Sequence, residues 1–138
     1  MRITSKTKYA LLALGEFNEK DKTVSIRELS EKYLISRKYL ERIFCDLETC
    51  GIVKGKRGPK GGYSLTRKSE QLTLKDIIMC LEKRIDVIHC EDLKKECIYK
   101  KNCYIYPVWD NLNNIINEYL SSITLEKLLI GGKNECKD

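Results

Sequence analysis

The sequence lacks most of what a membrane-spanning segment, a secretory signal or a hydrolytic site requires. Its longest uninterrupted apolar run is the stretch 9–14, whereas a membrane-spanning helix needs about 20 apolar residues. That run is also too short for the hydrophobic region of a secretory signal. A single histidine, His89, leaves little material for activating a nucleophile with a general base. We therefore expect a cytoplasmic protein that is not an enzyme.

Positive charge is concentrated in the first half of the 138-residue chain, whose net charge is +6. Residues 1–68 contain 16 Lys and Arg against 8 Asp and Glu, which gives +8. Residues 69–138 contain 10 against 12, which gives −2. This asymmetry indicates either a polyanion-binding module joined to a second region, or only a solvated basic surface.

Two helix starts in close succession predict a helix-turn-helix. Ser25, with Glu28 three residues later, has the pattern of a capping box, and Ser36 is the N-cap of the next helix. The helix that begins at Ser36 has an apolar face formed by Tyr39, Leu40, Ile43, Phe44 and Leu47. Its opposite face carries Arg37, Lys38, Glu41 and Arg42. Only a short turn separates the two helices, and the apolar spacing of residues 4–18 predicts a further helix before them.

A basic hairpin follows the helix-turn-helix. Two β-prone stretches, 52–54 and 63–66, flank the glycine-rich segment 55–62, which also holds Lys56, Arg57 and Lys60. Cations on a glycine-rich tip are poor core residues but suit phosphate or minor-groove contacts. A helix-turn-helix followed by such a hairpin is a winged helix. The candidate DNA-binding residues are Ser36, Arg37, Lys38, Glu41, Arg42, Lys56, Arg57, Lys60 and Gly61.

The second half has a different pattern. Residues 73–82 are predicted to form a short helix, and periodicity is then lost over 86–106. An apolar stripe at helical spacing follows, formed by Trp109, Leu112, Ile116, Tyr119 and Ile123, with Ile115 and Leu120 widening it. A helix with such a stripe needs a partner, so we expect a homodimer. The polar tail from Gly131 is expected to be frayed.

These patterns predict a mainly α fold with a small β wing. Residues 1–68 are predicted to form the winged helix-turn-helix DNA-binding domain. Residues 69–106 are predicted to form a linking helix and a cysteine-containing, cluster-binding loop. Residues 107–138 are predicted to form a dimerisation helix and the C-terminal tail.

Several short motifs resemble the IscR branch of the Rrf-two (Rrf2) family of bacterial winged-helix transcription regulators. They are YAL at 9–11, YLE at 39–41, RGPKGGY at 57–63, LKDII at 74–78 and SITLEKL at 122–128. The resemblance implies a homodimer that binds a palindromic operator, usually as a repressor. It also implies that Arg57 enters the minor groove, and that in many members an iron–sulfur cluster on three cysteines tunes DNA binding.

Glu41 is unusual on a surface that faces DNA, because its carboxylate repels phosphate. It could accept a hydrogen bond from a cytosine amino group or reject other sequences. Alternatively, it could form an ion pair with Arg37 one helical turn earlier.

Cys90, Cys97 and Cys103, separated by six and five residues, are the candidate metal ligands. Clustered thiols in an irregular charged segment suit a soft metal centre, so an iron–sulfur cluster is the expected cofactor, with zinc or redox-active thiols as alternatives. Cys45, Cys50 and Cys80 lie in predicted helices and are expected to be buried apolar residues.

The fourth ligand of such a cluster stays open. Resembling proteins with a 2Fe–2S cluster carry a histidine three residues after the last cysteine, where this chain has Tyr106. His89, Tyr106, a group from the partner chain or an exogenous thiol are the candidates, and 2Fe–2S is the preferred cluster type.

The expected function is therefore a cluster-responsive DNA-binding regulator, with the expected action of a repressor on genes of iron–sulfur assembly or of cysteine and sulfur metabolism. One alternative is a cluster-free regulator of the same family that senses through thiols, a small ligand or a partner enzyme. Another is a metal or redox protein whose winged helix mediates protein contacts.

Overall fold

A computed structural model describes residues 2–17, 21–87, 97, 99 and 102–135 of the chain. Its helices are α1 Ser5–Leu14, α2 Ile26–Tyr33, α3 Arg37–Thr49, α4 Leu74–Glu82, α5 Tyr106–Ser122 and α6 Leu125–Glu135. Strands β1 Val53–Lys56 and β2 Gly62–Leu65 form an antiparallel pair, and a 3-10 turn, Ser69–Gln71, precedes α4. The predicted mainly α fold with a small β wing is confirmed. Across these stretches we find no helix with the length and apolar character to span a membrane.

Side-chain caps begin the helices where the sequence predicts them. The hydroxyl of Ser25 accepts a hydrogen bond from the backbone N–H of Glu28, and that of Ser36 accepts one from the N–H of Tyr39, both at 3.1 Å. Thr73 and Asp76 form a complete capping box at the start of α4, with bonds of 3.0 and 3.1 Å. These caps satisfy N–H groups that have no partner within their helix.

The turn of the helix-turn-helix is made without glycine. Leu34 ends α2 in the left-handed conformation, with φ of 55°, and its side chain is 91% exposed. A non-glycine residue in this region costs about 1 kcal/mol or more, because its Cβ crowds the following carbonyl. The surrounding helices hold this conformation, because the hydroxyl of Ser30 donates to the carbonyl oxygen of Ile35 at 2.6 Å and so closes the turn.

One large core joins the first three helices, the sheet, α4 and the start of α6. Its fully buried side chains include Leu14, Phe17, Leu40, Phe44, Leu47, Leu65, Ile77 and Leu125. A second, smaller cluster joins α4 to α5, where Ile78 and Ile85 pack with Leu120, and Leu74 and Ile116 flank them. Helix α4 therefore contributes one face to each cluster and connects the winged helix to α5.

The predicted extents of two segments differ from the structure. Helix α1 ends at Leu14 rather than at residue 18, because the N–H groups of Glu16 and Phe17 donate to carbonyl oxygens three residues back instead of four. Phe17 is still buried in the core. The expectation of a frayed tail from Gly131 is wrong as far as Glu135, because the backbone of α6 continues to that residue; residues 136–138 lie outside the described residues. Two backbone hydrogen bonds of 2.8 Å fix the start of α6 next to the start of α4. The N–H of Leu74 donates to the carbonyl oxygen of Ile123, and the N–H of Leu125 donates to that of Leu72.

The expectation that Cys45, Cys50 and Cys80 are buried apolar residues is wrong for two of them. Cys45 is exposed, because it lies on the polar face of α3 one turn after Glu41. Cys50 is exposed at the C-terminal end of α3. Cys80 is buried as expected, but it forms a disulfide with Cys50, with the two Cα atoms 6.0 Å apart.

The carboxylate of Glu82, at the end of α4, holds the start of α1. Its Oε1 accepts hydrogen bonds from the backbone N–H of Thr4 at 2.9 Å, the hydroxyl of Thr4 at 2.7 Å and the hydroxyl of Thr7 at 2.5 Å. Burial raises the pKa of this carboxyl, but the hydrogen bonds from Thr7 and Thr4 outweigh burial and hold the pKa below its ordinary value of 4.5. Hydrogen bonds that favour the charged form have this effect.

We expect Glu82→Gln to reduce stability in a pH-dependent way. The folded-state pKa is lowered, so the charged carboxylate stabilises the protein above pH 4.5 and this contribution is lost as the pH falls through the folded pKa. The variant should lose about 1–3 kcal/mol of unfolding free energy at pH 7, and the difference from wild type should shrink in acid. Urea unfolding at several pH values measures this, with the exposed Glu70→Gln as control; a pH-independent difference would contradict the role of the charge.

Candidate nucleic-acid interface

The polar face of α3 is presented to solvent while its other face is buried. Leu40, Ile43, Phe44 and Leu47 have no appreciable exposed surface. The predicted DNA-binding residues of this helix are all exposed, namely Ser36, Arg37, Lys38, Glu41 and Arg42. Burial of the apolar face therefore determines which side chains this helix presents to a ligand.

Contacts on three sides hold α3 in place. The ring of Tyr39 meets that of Tyr9 of α1 edge to face, with centroids 6.0 Å apart. The ring of Phe44 lies against Phe17, at a centroid distance of 5.9 Å, and against Tyr63 of the wing, at 4.9 Å. Aromatic pairs in such geometries add to the stabilisation from burial alone. The helix is thus packed rigidly against both α1 and the wing.

The alternative role of Glu41 as a partner of Arg37 is not seen. In the parts of the chain that the structure describes, the ion pair at a spacing of four residues joins Arg27 to Glu31 of α2, with a distance of 3.0 Å. No ion pair there includes Glu41. The Glu41 carboxylate is exposed and available to a ligand.

The wing is a tight hairpin with exposed cations. Val53 pairs with Leu65 and Lys56 with Gly62, so the tip consists of residues 57–61. The N–H of Gly61 donates to the carbonyl oxygen of Gly58 at 2.8 Å, and a Cβ at Gly61 would lie 2.4 Å from the carbonyl oxygen of Lys56. Only glycine fits this position without moving the backbone. The predicted contact residues Lys56, Arg57 and Lys60 are exposed on this hairpin.

Non-local hydrogen bonds fix the wing relative to α3. The carboxylate of Glu48, near the end of α3, accepts a hydrogen bond from the N–H of Gly55 at 2.9 Å. The backbone of Tyr63 exchanges hydrogen bonds of 2.8 and 2.9 Å with that of Val24, which precedes α2. Burial raises the pKa of Tyr63, and the nearby charge of Glu48 adds to this effect. Sequence reasoning missed Glu48, because no local pattern reports a contact between a helix and a following strand.

The cations of this surface make no ion pairs within the described residues. Among the residues with described positions, none of the ion pairs includes Arg37, Lys38, Arg42, Lys56, Arg57 or Lys60. Such a surface attracts a polyanion. Binding is favoured because it releases the counterions that surround the polyanion. The recognition surface, defined as the exposed polar face of α3 together with the wing tip, thus has the charge and shape to bind nucleic acid.

The candidate metal ligands are only partly covered by the structure. Cys97 and Cys103 are free thiols and half-buried, whereas Cys90 and His89 lie outside the described residues. Tyr106 is the first residue of α5 and is half-buried. Within the described stretches, no three His, Cys, Asp or Glu side chains come together as a metal site.

The apolar stripe of α5 divides into two faces. Ile116, with Leu120, packs on α4, whereas Tyr119 is 62% exposed; Trp109, Leu112 and Ile123 are half-buried. A second apolar line on the helix lies beside the one that packs on α4. Its residues are spaced by four, three and four positions, namely Val108, Leu112, Ile115 and Tyr119. Val108 and Ile115 are 60% and 53% exposed. Packing on α4 thus uses one edge of the predicted stripe and leaves the other edge in solvent.

Known proteins resemble this chain over nearly its whole length. Residues 3–130 match the family model Rrf2, described as an iron-dependent transcriptional regulator. The transcriptional regulator IscR of Photorhabdus laumondii is 32% identical over 131 residues, which cover 94% of this chain and 79% of that protein.

Two solved structures are similar over nearly the whole chain. CymR, the global cysteine regulator of B. subtilis, has a TM-score of 0.77 and 27% identity, and the match covers 95% of this chain and 98% of CymR. IscR of T. potens has a TM-score of 0.69 and 27% identity, and the match covers 100% of this chain and 93% of that one.

Proposed function

The chain belongs to the Rrf2 family of transcriptional regulators, and from this we propose that it is a homodimeric repressor that binds a palindromic operator. As a member of that family it is a DNA-binding regulator and not an enzyme. It acts on DNA in the cytoplasm. Its target genes are those of iron–sulfur assembly or of cysteine and sulfur metabolism; the description of the family as iron-dependent supports the first, and the similarity to a global cysteine regulator supports the second.

The observation that carries the proposal is the unneutralised recognition surface. Helix α3 enters the major groove, where Arg37, Lys38 and Arg42 contact guanine edges or phosphates. Ser36, at the helix start, is placed for a phosphate contact. The carboxylate of Glu41 accepts a hydrogen bond from a cytosine amino group. It is available for this bond because it forms no ion pair with Arg37.

The wing reaches the adjacent minor groove. Arg57 is exposed at the narrow tip, and a guanidinium suits the negative potential of a narrow minor groove. Lys56 and Lys60 flank it and contact phosphates, while Gly61 lets the backbone approach closely. Because Glu48 ties the wing to α3, the two parts of the surface bind as one rigid unit.

Arg57→Ala should weaken operator binding by about 1–3 kcal/mol, because it removes the minor-groove contact. Duplexes selected from a random pool by the wild-type protein provide the operator, and their consensus should be a palindrome. Affinity is measured at several salt concentrations, and it should fall steeply as salt rises.

Lys127→Ala on α6 is the matched control, because it removes one positive charge outside the recognition surface. It should bind the selected duplex nearly as well as wild type does. Selection that enriches no palindrome, or equal affinity of wild type for the selected duplex and a scrambled one, would refute the proposed function. If the two variants lost the same amount of operator affinity, Arg57 would not be part of the DNA interface.

The dimer forms through α5. Along one line of this helix the exposed side chains are apolar, and at a two-fold axis this line meets its own copy. Trp109, Leu112, Ile116, Tyr119 and Ile123 remain the proposed dimerisation residues, and the exposure of Val108 and Ile115 adds these two. Two recognition helices related by the axis read half-sites about one helical turn apart.

Ile115→Glu should convert the dimer to monomers. An unpaired carboxylate at the centre of an apolar interface costs about 3 kcal/mol or more, over about a hundredfold in the dissociation constant. Sedimentation velocity over a concentration series measures this. The control is Leu34→Glu, which places the same charge in the turn before α3, at a side chain that is more exposed than that of Ile115. A dimer of unchanged stability in Ile115→Glu would place the interface elsewhere.

An iron–sulfur cluster held by Cys90, Cys97 and Cys103 is proposed as the effector. Both described thiols are free and half-buried, which suits thiolate ligands of a soft metal centre. When bound, such a cluster supplies sensitivity to iron and to oxidants. Cys103 lies three residues before α5 begins at Tyr106, so joining it to Cys97 and Cys90 restrains the segment that enters α5. His89, Tyr106, a partner-chain group and an exogenous thiol are the candidate fourth ligands, and 2Fe–2S is the preferred type.

Cys97→Ala should abolish iron and sulfide binding and leave the dimer intact. Protein purified without oxygen and reconstituted with iron and sulfide is assayed for both elements, for its visible absorption and for its sedimentation. Cys45→Ala, which removes an exposed thiol of α3, should retain the cluster. Wild-type protein that takes up neither iron nor sulfide would instead favour the cluster-free regulator, which senses through thiols, a small ligand or a partner enzyme.

A further inference from the structure

Cys50 and Cys80 join two elements that are far apart in the sequence. Cys50 is the C-cap of α3, and Cys80 lies in the last turn of α4, 30 positions later in the sequence. Their Cα atoms are 6.0 Å apart, which is within the usual range for a disulfide. Neither cysteine belongs to the Cys90, Cys97 and Cys103 set.

The two thiols differ in access to solvent. Cys50 is exposed, whereas Cys80 is 6% exposed and its sulfur lies 3.4 Å from the carbonyl oxygen of Asp46 in α3. A small oxidant therefore reaches Cys50 first. Cys80 is then held beside Cys50, where it can complete the bond without movement of either helix.

The bond joins the helix that carries the recognition surface to the helix that packs on α5. Helix α3 presents the polar face that binds DNA, and α4 packs on α5 through Ile78, Ile85 and Leu120. The side chain of Asp46 also forms an ion pair with Lys6 of α1. A covalent link at Cys50 and Cys80 thus restrains the C-terminal end of α3 relative to the element that carries α5.

We propose that Cys50 and Cys80 are a reversible redox pair that is oxidised by hydroperoxides and that raises the affinity of the protein for its operator. The inference rests on the proposed function, because its effect is on operator binding. Disulfides in reducing compartments are usually transient and redox-sensing, which is the behaviour expected of a pair at this position in a DNA-binding protein.

The oxidation takes place in two balanced steps. The Cys50 thiolate attacks one oxygen of hydrogen peroxide, which forms a sulfenic acid and releases hydroxide, and the proton lost by Cys50 converts this hydroxide to water. The sulfur of Cys80 then attacks the sulfenic sulfur, and a second water leaves as the disulfide forms. Two thiols lose two electrons and two protons, and one peroxide is reduced to two waters. A cellular dithiol reverses the reaction by thiol–disulfide exchange.

The oxidised protein should bind the operator more tightly because its recognition helices are pre-organised. The recognition surface stays exposed when the bond is formed, so the bond does not block DNA. Restraining α3 relative to α4 reduces the conformational freedom that is lost when two half-sites are bound at a fixed spacing. The increase should be at least about fivefold, the lower end of typical couplings between sites.

The test compares full-length wild type with Cys50→Ser, without oxygen and without metal. Each protein is reduced with dithiothreitol. Half of each reduced sample is then treated with hydrogen peroxide, and the peroxide is removed. Peptide mapping after alkylation measures the Cys50–Cys80 linkage, and titration of the selected duplex measures affinity. The other cysteines are present in both proteins, so effects of their oxidation appear in both. Cys80→Ala provides a second variant without the pair.

Wild type should form the linked peptide, bind at least about fivefold more tightly after oxidation, and return to its reduced affinity with dithiothreitol. The two variants should show no such change. No linked peptide, equal affinities of reduced and oxidised wild type, or weaker binding after oxidation would each overturn the inference. If reduced wild type selects no duplex, the proposed function fails and the effect on affinity with it, while the peptide map still decides whether the pair is oxidised.

Discussion

Burial of the apolar face of α3 is the constraint on which the rest of the structure depends. Each fully buried side chain, such as Leu40 or Leu47, contributes about 1.5–3 kcal/mol relative to its exposed state. The same packing turns the charged face outward, and it brings Phe44 against Phe17 and Tyr63. The position of the wing and the exposure of the basic side chains therefore both follow from one buried surface.

Helix α4 transmits that arrangement to the second half of the chain. One of its faces completes the large core with Ile77, and the other joins α5 through Ile78. Its two ends are also tied down, the first by the capping box at Thr73 and the second by the contact of Glu82 with α1. Because this short helix packs on both the large core and α5, it couples the orientation of α5 to that of α3.

Local features could be predicted from the sequence, and non-local ones could not. The cap at Ser36, the buried face of α3 and the glycine-rich wing tip depend on residues within a few positions of each other, and each was predicted where the structure has it. The contacts of Glu48 with Gly55 and of Cys50 with Cys80 depend on how the elements pack, and no periodicity reports them. The α5 stripe was predicted as a single seam, because spacing alone does not tell which edge packs on α4. The division of the chain at residues 68 and 106, the DNA contacts and the cluster ligands stay predictions.

The separation of structural and exposed residues on α3 has a consequence for how such regulators diverge. Lys38, Glu41 and Arg42 are exposed and make no ion pairs in the described part of the chain, so the fold does not depend on which side chains occupy these positions. Under the proposed function, substitutions there change the preferred base pairs at almost no cost in stability. After gene duplication, a copy can therefore acquire a new set of target promoters while it keeps the core and the wing of its ancestor.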